Sequence, residues 1–383
     1  MHRPLRIAIF GTGFIGRLHL EGLCRLGAAV QVCALASAEL EQAHRLGAEF
    51  GITRIVSDYR ELLADPLLDA VHVCTPNALH WSMAMDALRA GKHILCEKPL
   101  GTSVGQAREM VQLAQDRGLR NCICHNLRFY PLVQQMRRMC QDGDLGEILV
   151  VQGTYSQDWL LLDTDWNWRM DSNQSGPSRA MADIGSHWCD LAEYVTGQQI
   201  IALCADLQTF HRTRKRPRQC GATFAAKAAN TVGYEEVPID TEDFGAVIFR
   251  MKERTRGSFT VSQMAAGRKN RLNIEINGSK LSVAWDAESP DQLWVGHRDA
   301  HNQLTLKDPI LMKRGPDSYA DLPGGHAEGF DSTFKRMFRR FYESVANLEA
   351  EPDYPQFVDG LRQMVIVEAE LASSRNHAWV DCL

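Results

Sequence analysis

Length, composition and charge place this chain among ordinary globular proteins. Its 383 residues, 45% hydrophobic and 23% charged, are enough for two domains with substantial cores. A formal net charge of −5 argues against a nucleic-acid partner. No apolar run approaches the roughly eighteen residues of a membrane span, and no signal-like segment precedes the first predicted strand. We therefore predict a cytoplasmic protein with no membrane partner.

The 11 cysteines are scattered and form no paired C-x-x-C motifs. They are predicted to be reduced, small hydrophobic residues, and no metal site is predicted. Cys122 and Cys124 would point to the same face of a strand, so a metal-binding pair is the alternative. The basic segment 211–218 lacks hydrophobic periodicity and is predicted to be a solvated loop, with a phosphate or partner contact as its alternative.

Predicted strands alternate with segments of helical period from residue 1 to about residue 125. This alternation predicts a parallel sheet covered by helices on both faces, as in a doubly wound α/β domain. The strands are Leu5–Phe10, Val30–Leu35, Ala70–Cys74, His93–Cys96 and Asn121–Cys124.

A glycine-rich turn follows the first strand directly and opens a helix that extends to Leu26. It reads Gly11-Thr12-Gly13-Phe14-Ile15-Gly16. Gly11 would allow the tight turn, Gly13 the approach of a pyrophosphate, and Gly16 the packing of helix on strand. In this strand–turn–helix context the motif predicts a dinucleotide site.

Ser37 follows the second strand, where many dinucleotide-binding sheets carry an acid that binds the ribose. A serine removes the repulsion toward a 2′-phosphate, but no arginine follows at once to attract one. We therefore predict NAD or NADP as cofactor, one per chain, with NADP slightly favoured.

Polar residues follow two further strands of the predicted parallel sheet. Thr75-Pro76-Asn77 comes after the strand ending at Cys74, and Glu97-Lys98-Pro99 after the strand ending at Cys96. Ligands of open α/β sheets bind at the carboxyl edge of the strands. Lys98 would place an ammonium group there, which favours an enzyme over a mere nucleotide binder.

Longer alternating strands begin near residue 145 and predict an α+β domain with a large, mostly antiparallel open sheet. We place the Rossmann domain at 1–125 and the substrate-binding and oligomerisation domain at 126–383. One face of such a sheet can be buried against another subunit, which predicts a homodimer or homotetramer. The strands are Ile148–Ser156, Phe244–Met251, Gly257–Gln263, Arg271–Ile276, Lys280–Trp285 and a short Ala378–Val380, with helices at 328–349 and about 356–374.

A helix is predicted over 182–197, ended by Gly197. Its apolar stripe contains Ile184, Trp188, Leu191 and Val195, and a second stripe contains Asp183, His187, Asp190 and Tyr194. Taken alone, Asp183 and His187 are typical of a structural hydrogen-bonded pair. Beside a dinucleotide and Lys98 they predict hydride-transfer chemistry, with His187 as base, Lys98 as positive partner and Asp183 as orienting acceptor.

Four motifs in order make the chain resemble the glucose-fructose oxidoreductase/inositol dehydrogenase/MocA (Gfo/Idh/MocA) family over its full length. They are Gly11–Gly16, Cys74–Asn77, Glu97–Pro99 and Asp183–His187. The resemblance implies Lys98, Asp183 and His187 as catalytic residues, a cis peptide before Pro99, and oligomers formed through the open sheet. The cofactor-binding residues predicted are Gly11, Thr12, Gly13, Phe14, Ile15, Gly16, Ser37, Thr75, Pro76, Asn77, His80, Glu97, Lys98 and Asn126.

Segments of the second domain are more similar to levoglucosan dehydrogenase and related sugar dehydrogenases of this family. They are Gly153–Trp159, Trp168-Arg169 and Ala265–Asn270. The likeness implies that Gln157, Trp166 and Arg169 approach the sugar or the nicotinamide end. The substrate-binding residues predicted are these three together with Lys98, Asp183 and His187. Leu127 departs from the family, because many relatives have a tyrosine between the asparagine and the arginine.

Four of the 8 tryptophans, Trp159, Trp166, Trp168 and Trp188, fall in one short stretch. Indole faces suit the C–H face of a sugar ring, but about half of these rings are expected to be structural, Trp188 first among them. His326, in a glycine-rich turn, either reaches the cleft or is an exposed loop residue.

These features together predict an NAD(P)-dependent oxidoreductase that acts on a secondary hydroxyl or ketone of a sugar, anhydrosugar or cyclitol. One alternative is a glycosidase of the same family that uses transient oxidation and recycles its NAD. The other is a non-enzymatic nucleotide-sensing regulator, which would not need Lys98, Asp183 and His187 together.

Overall fold

Six short strands in the first part of the chain form one parallel sheet, as the alternating pattern predicts. The computed structural model describes residues 3–218 and 233–382. The elements are β1 (Leu5–Phe10), α1 (Phe14–Cys24), β2 (Val30–Ala36), α2 (Leu40–Phe50), β3 (Ile55–Val56), α3 (Arg60–Leu63), β4 (Ala70–Val73), α4 (His80–Arg89), β5 (His93–Cys96), α5 (Val104–Asp116) and β6 (Asn121–Ile123). The strand order is β3-β2-β1-β4-β5-β6.

Alternating side chains of β1 contribute to a hydrophobic core on each face of this sheet. Ile7 and Ile9 point into one core, whereas Ala8 and Phe10 point into the other. Because both faces are covered, all residues of the neighbouring β4 are buried. The carboxyl ends of these strands are left as the open edge of the domain.

The rest of the chain forms mainly one large sheet and the helices that cover it. The elements are α6 (Pro131–Gln141), β7 (Ile148–Ser156), α7 (Ser172–Ser175), α8 (Ser186–Thr196), β8 (Ile200–Gln208), β9 (Thr213–Pro217), β10 (Tyr234–Pro238), β11 (Phe244–Met251), β12 (Arg256–Ser262), β13 (Arg271–Gly278), β14 (Leu281–Asp286), β15 (Gln292–His297), β16 (Gln303–Leu306), α9 (Phe330–Ala346), α10 (Phe357–Asn376) and β17 (Val380–Asp381). A π-helical turn, Met181–Gly185, leads directly into α8.

The large sheet has nine strands in the order β16-β15-β14-β13-β7-β12-β11-β8-β17. Its neighbouring strands are antiparallel except for β7 and β12, which are parallel, so the predicted mostly antiparallel sheet is confirmed. Helices α6, α8 and α10 pack against one face. Trp188 of α8 is fully buried there, and its ring stacks on Phe259 at a centroid distance of 4.4 Å. Its predicted structural role is confirmed.

The described residues leave the other face of the nine-stranded sheet open. It carries a groove of about 1050 Å³, and Ile248 near its middle remains 50% exposed. A half-exposed isoleucine among polar neighbours such as Thr154 and Asp206 is typical of a surface that another protein can cover.

The two C-terminal helices return to the first sheet. Phe334 and Phe338 of α9 lie in the same core as Ile7 and Ile9. Gly22 of α1 is the point of closest approach, since a Cβ atom there would lie 2.9 Å from the Phe338 ring. The parallel sheet thus takes part of its cover from beyond residue 126, and the boundary between 125 and 126 stays a prediction.

The basic segment 211–218 is not the predicted solvated loop. Residues Thr213–Pro217 form β9, which pairs antiparallel with β10. Arg214 is fully buried, and its Nη2 donates to Oδ1 of Asp243 at 2.8 Å. Arg179 donates to the same carboxylate oxygen. A buried carboxylate needs cationic partners, and that requirement draws one arginine of the basic segment into the interior.

The ten cysteines within the described residues are all free, in agreement with the prediction of reduced thiols. Cys122 and Cys124 belong to one core beside α1. Within residues 3–218 and 233–382, we find no helix whose length and apolar character would let it cross a lipid bilayer.

Candidate active site

The glycine turn after β1 has the geometry that a dinucleotide needs. Gly11 adopts a φ of +95°, and a Cβ atom there would lie 2.4 Å from the carbonyl oxygen of Cys74. A Cβ atom on Gly16 would lie 2.1 Å from the carbonyl oxygen of Gly11. Gly13, in contrast, has no atom within 4 Å of its Cβ position. The turn is tightly packed on the inside, while Gly13 leaves space through which phosphates can reach the backbone amides.

Residues beside the glycines join the ends of β1 and β2. Thr12 is buried, and its hydroxyl donates to Oγ of Ser37 at 2.9 Å. The Oγ of Ser37 also accepts from the amide of Glu39 at 3.2 Å. Phe14 is 48% exposed at the start of α1, whereas Ile15 packs against the core. Ser37 therefore lies beside the glycine turn, where the ribose was predicted.

The loop after β4 is held in place by its own side chains. Asn77 donates from Nδ2 to the carbonyl oxygen of Ser175 at 2.9 Å. The two ring nitrogens of His80 lie 2.9 Å from the Thr75 carbonyl oxygen and 2.7 Å from that of Pro99. His80 thus ties the Thr75-Pro76-Asn77 loop to the loop that carries Lys98. Both ring nitrogens of His80 are engaged by these carbonyl oxygens. His80 therefore supports the two loops, and neither nitrogen is left to bind the cofactor.

Asn126 and Glu97, also predicted to bind cofactor, are engaged by protein groups. Asn126 is buried and donates from Nδ2 to Oγ1 of Thr333 at 2.8 Å. Glu97 places Oε1 3.0 Å from Nε2 of His19 and accepts from the amide of Lys98 at 3.2 Å. Burial would raise the pKa of Glu97, but His19 and Lys98 outweigh it and lower that pKa. Glu97 therefore supports the strand end as a buried carboxylate.

Lys98 and Asp183 meet at the carboxyl edge of the parallel sheet, as predicted. The Lys98 ammonium donates to Oδ1 of Asp183 at 2.8 Å and to its carbonyl oxygen at 2.7 Å. Arg169 places Nε 3.3 Å from the same Oδ1. Burial alone would raise the pKa of Asp183, but Lys98 and Arg169 outweigh it, so that the pKa lies well below its ordinary value. The peptide between Lys98 and Pro99 is cis, as the resemblance implied.

His187 lies beside this pair, one helical turn after Asp183. Within the described part of the chain, neither of its ring nitrogens forms a hydrogen bond, and the buried Nδ1 has no partner. Burial lowers the pKa of His187 well below its ordinary value; Lys98 and His125 add to this effect, and Asp183 opposes it. The ring is therefore a neutral imidazole near neutral pH, available to accept a proton.

One predicted role needs correction: Asp183 does not orient His187 through a hydrogen bond. Its carboxylate is drawn instead to the two cations, Lys98 and Arg169. Their charge competes better for the carboxylate than a neutral imidazole does. Asp183 orients the lysine, and His187 is held by ring packing.

The predicted substrate residue Gln157 belongs to a chain of hydrogen bonds beside His187. Gln157 donates from Nε2 to Oδ1 of Asn270 at 2.7 Å and accepts at Oε1 from Nε1 of Trp159 at 2.8 Å. Tyr155 donates its hydroxyl to the same Asn270 oxygen at 2.8 Å, and its ring centroid lies 6.4 Å from that of His187. These hydrogen-bonded side chains form one wall next to the His187 imidazole.

Arg169 and Trp166 differ in how directly they approach the site. Arg169 reaches Asp183 and lies over the ring of Trp168 at 4.4 Å. Trp166 packs on a small cluster with Leu160 and Met170, apart from the main cores. His326 is exposed on its loop, which is the second of its two predicted positions.

His125 and Tyr155 also contact the His187 ring and were not among the predicted site residues. His125 follows β6 at the carboxyl edge that carries Lys98, so its position after a strand was an available signal. Tyr155 lies within a strand, and the sequence alone does not show that its ring faces the site.

Comparison with known proteins agrees with this geometry. Residues 5–125 match the family described as "Oxidoreductase family, NAD-binding Rossmann fold", and residues 133–284 match the "GFO/IDH/MocA C-terminal domain". Together these two matches cover most of the chain.

Individual relatives point the same way. Levoglucosan dehydrogenase of Pseudarthrobacter phenanthrenivorans is 29% identical over 390 residues, covering 98% of each chain. D-glucoside 3-dehydrogenase of Escherichia coli is 32% identical over 199 residues, covering 51% of this chain and 54% of the relative. The solved structure "Levoglucosan dehydrogenase, complex with NADH and levoglucosan" superposes with a TM-score of 0.88 at 27% identity, over 99% of this chain and 100% of that one. The chain belongs to the Gfo/Idh/MocA family of oxidoreductases.

Proposed function

We propose that this protein is an NAD(P)-dependent dehydrogenase that acts on a secondary hydroxyl or ketone of a sugar, anhydrosugar or cyclitol. One observation carries the proposal: Lys98, Asp183 and His187 gather at the edge of the sheet beside the dinucleotide turn, and Nδ1 of His187 has no hydrogen-bond partner among the described residues. A structural histidine in such a buried place is normally hydrogen-bonded. An imidazole nitrogen that forms no hydrogen bond can accept the proton of a substrate hydroxyl.

The residues divide the work of alcohol oxidation between them. When bound, nicotinamide supplies the hydride acceptor. The neutral His187 accepts the hydroxyl proton, and the ammonium group of Lys98 stabilises the negative charge that develops on the substrate oxygen. Asp183 holds the lysine by two hydrogen bonds to its backbone and side-chain oxygens. In the reverse direction, His187 returns the proton to the ketone oxygen.

The nucleotide site fits NAD, and the choice between NAD and NADP turns on Ser37. Gly13 provides the open approach for phosphates, and Ser37 lies next to Thr12 at the predicted ribose position. A serine neither repels a 2′-phosphate nor binds the ribose as an acid would. We therefore propose NAD or NADP as the cofactor, with NADP slightly favoured by the missing acid at Ser37.

A sugar or cyclitol is the proposed substrate because donors and acceptors surround His187. Arg169 lies beside Asp183, and Gln157, Asn270 and Tyr155 form the adjoining wall. A polyhydroxylated ring offers a hydroxyl to each of these groups. Relatives named levoglucosan dehydrogenase and D-glucoside 3-dehydrogenase support this substrate class. The glycosidase and regulator alternatives find no comparable support among these relatives.

The open face of the nine-stranded sheet is the proposed oligomer contact. Its wide groove and the half-exposed Ile248 are available to a second copy of the chain. Light scattering coupled to gel filtration should give two or four times the 43.0 kDa of one chain. A monomer at micromolar concentration would contradict this assignment.

A spectrophotometric screen at about 340 nm, the absorbance of the reduced nicotinamide, tests the enzymatic proposal. Sugars, anhydrosugars and cyclitols are each mixed with the protein and either NAD⁺ or NADP⁺. We expect at least one member of these classes to reduce one of the cofactors. The proposal is wrong if reduced cofactor binds, as followed by its fluorescence, while no polyol gives turnover in either direction.

A further inference from the structure

A second imidazole lies directly against His187. His125 follows β6 and is 1% exposed, and the centroids of the two rings are 5.5 Å apart at an angle of 85°. Nδ1 of each ring is buried without a hydrogen-bond partner. Two buried imidazoles in contact, each with an Nδ1 that forms no hydrogen bond within residues 3–218 and 233–382, are unusual, because buried polar atoms are normally satisfied. The pair therefore calls for a reason other than core packing.

The charged groups around His125 distinguish it from His187. Nδ1 of His125 lies 4.0 Å from Oδ2 of Asp190, one helical turn beyond His187 on α8. Asp190 itself accepts from Nε of Arg128 at 2.8 Å. The charged and titratable groups that face His125 are His187, Asp190, Arg128, Asp359 and Lys98. Asp190 and Asp359 favour a proton on His125, whereas Arg128 and Lys98 oppose it.

Resting on the proposed function, we infer that His125 is a positioning residue that keeps the imidazole of His187 uncharged and ready to accept the hydroxyl proton. Two imidazoles in van der Waals contact inside a protein cannot both be in the positively charged imidazolium form without strong repulsion. Asp190 lies beside His125, whereas at His187 the cation Lys98 outweighs Asp183, so the first proton that the pair takes up resides on His125. His187 then stays neutral at a lower pH than it would alone.

Ring packing adds an orienting effect to this electrostatic one. In the part of the chain that the structure describes, no hydrogen bond fixes the ring of His187, since the carboxylate of Asp183 is bound to Lys98 and Arg169. The nearly perpendicular contact with His125 restricts rotation of the His187 ring instead. Burial lowers the pKa of both histidines, which agrees with two neutral rings in the resting enzyme.

The pH profile of kcat/KM tests the inference, using the sugar and cofactor that give turnover. His125→Phe keeps a ring of similar shape but removes the competing proton acceptor. We expect the acid limb of the profile to move to higher pH by about 0.5 to 1 unit. Tyr155→Phe is the matched control for position on the pH axis only: it removes a hydroxyl of the substrate wall and should lower kcat/KM at every pH, but it alters a ring against His187 without removing an imidazole. Its acid limb should coincide with that of the unmodified protein.

His125→Gln provides a second variant in case the phenylalanine is poorly tolerated, since the amide stays uncharged throughout the titration. Both variants are checked for folding by circular dichroism and for NADH binding by fluorescence. An upward shift of the limb in either folded variant supports the inference. A lower kcat with an unmoved limb would overturn it, because packing alone would then explain the loss. Unmodified protein that oxidises no sugar at any pH would instead refute the proposed function, and the inference with it.

Discussion

Two ion pairs join the edge of the parallel sheet to the same helical segment, and they differ in a way that separates chemistry from architecture. Lys98 pairs with Asp183, and Arg128 pairs with Asp190. The side-chain exposures are 11% and 14% in the first pair, but 11% and 2% in the second. The Lys98 pair lies at the open edge, whereas the Asp190 carboxylate is almost fully enclosed.

The hydrogen bonds of the two pairs match these positions. Arg128 bonds both oxygens of Asp190 through Nε and Nη2, and its Nη2 also donates to Asp359. The ammonium group of Lys98 has three N–H donors, and it forms two hydrogen bonds to Asp183. One donor therefore remains for a substrate oxygen. A fork-shaped arginine cation thus closes one junction, while a lysine leaves the other reactive.

Lys98→Met should have the largest effect and should act on chemistry alone. It removes the positive charge at the developing alkoxide, so we expect turnover to fall by at least about 10³-fold. Asp183 keeps Arg169 as a partner, so the fold and NADH binding should change little. Steady-state kinetics and fluorescence titration measure the two quantities. Turnover near that of the unmodified protein would refute the role of Lys98.

Arg128→Met should lower the stability of the fold. The molecules that remain folded should still bind the cofactor as the unmodified protein does. The substitution leaves Asp190 and Asp359 without their shared cation, which should lower the free energy of unfolding by about 3–5 kcal/mol. Urea denaturation measures this value. Arg137→Met is the control, because that guanidinium lies over the same Tyr194 ring at 4.1 Å, and within the described chain it has no ion-pair partner. If both variants lost equal stability, the ion pair would not be the cause.

Asp183→Asn separates the role of the carboxylate from that of the cation in the Lys98 pair. The amide oxygen can still accept from Lys98, but the negative charge that holds the lysine and faces Arg169 is lost. We expect turnover to fall by about 10²-fold, less than in Lys98→Met, because the cation itself remains. Kinetics at saturating cofactor measure the loss. A fall larger than that of Lys98→Met would reverse the assigned order of importance.

Asp359→Asn should have the smallest effect, about 1 kcal/mol, because its side chain is 31% exposed and Arg128 keeps both bonds to Asp190. Burial raises the pKa of Asp359, but Arg128 outweighs it and lowers that pKa below its ordinary value. Its contribution is therefore complete above a pH of about 4 and is lost as the pH falls through the lowered pKa. Urea titrations at neutral and acidic pH should show the variant and the unmodified protein converging in acid.

Much of the candidate active site could be predicted from short local motifs in the sequence. The glycine turn, the lysine after β5 and the Asp183–His187 spacing each lie within a few consecutive residues, where strand and helix periodicity fix their placement. The sequence does not indicate which partner each charge selects. Asp183 binds Lys98, 85 residues away, rather than the histidine one turn along.

The same limit explains the basic segment. Arg214 is buried because Asp243, 29 residues further along the chain, is enclosed between it and Arg179. Periodicity describes how a segment folds locally, but not which distant carboxylate it meets. The contact between His125 and His187 could not be predicted for a similar reason, since only tertiary packing brings the two rings together.

The destination of the substrate hydrogen tests the central claim most directly. A sugar that responds in the screen is prepared with deuterium on the carbon that is oxidised, and the cofactor is recovered and analysed by mass spectrometry and NMR. If hydride passes from the sugar to nicotinamide at this site, the reduced cofactor carries one deuterium at C4, forms in step with the ketone, and forms at least about 10³-fold more slowly with Lys98→Met. Product formed without deuterium in the cofactor would contradict hydride transfer at this site.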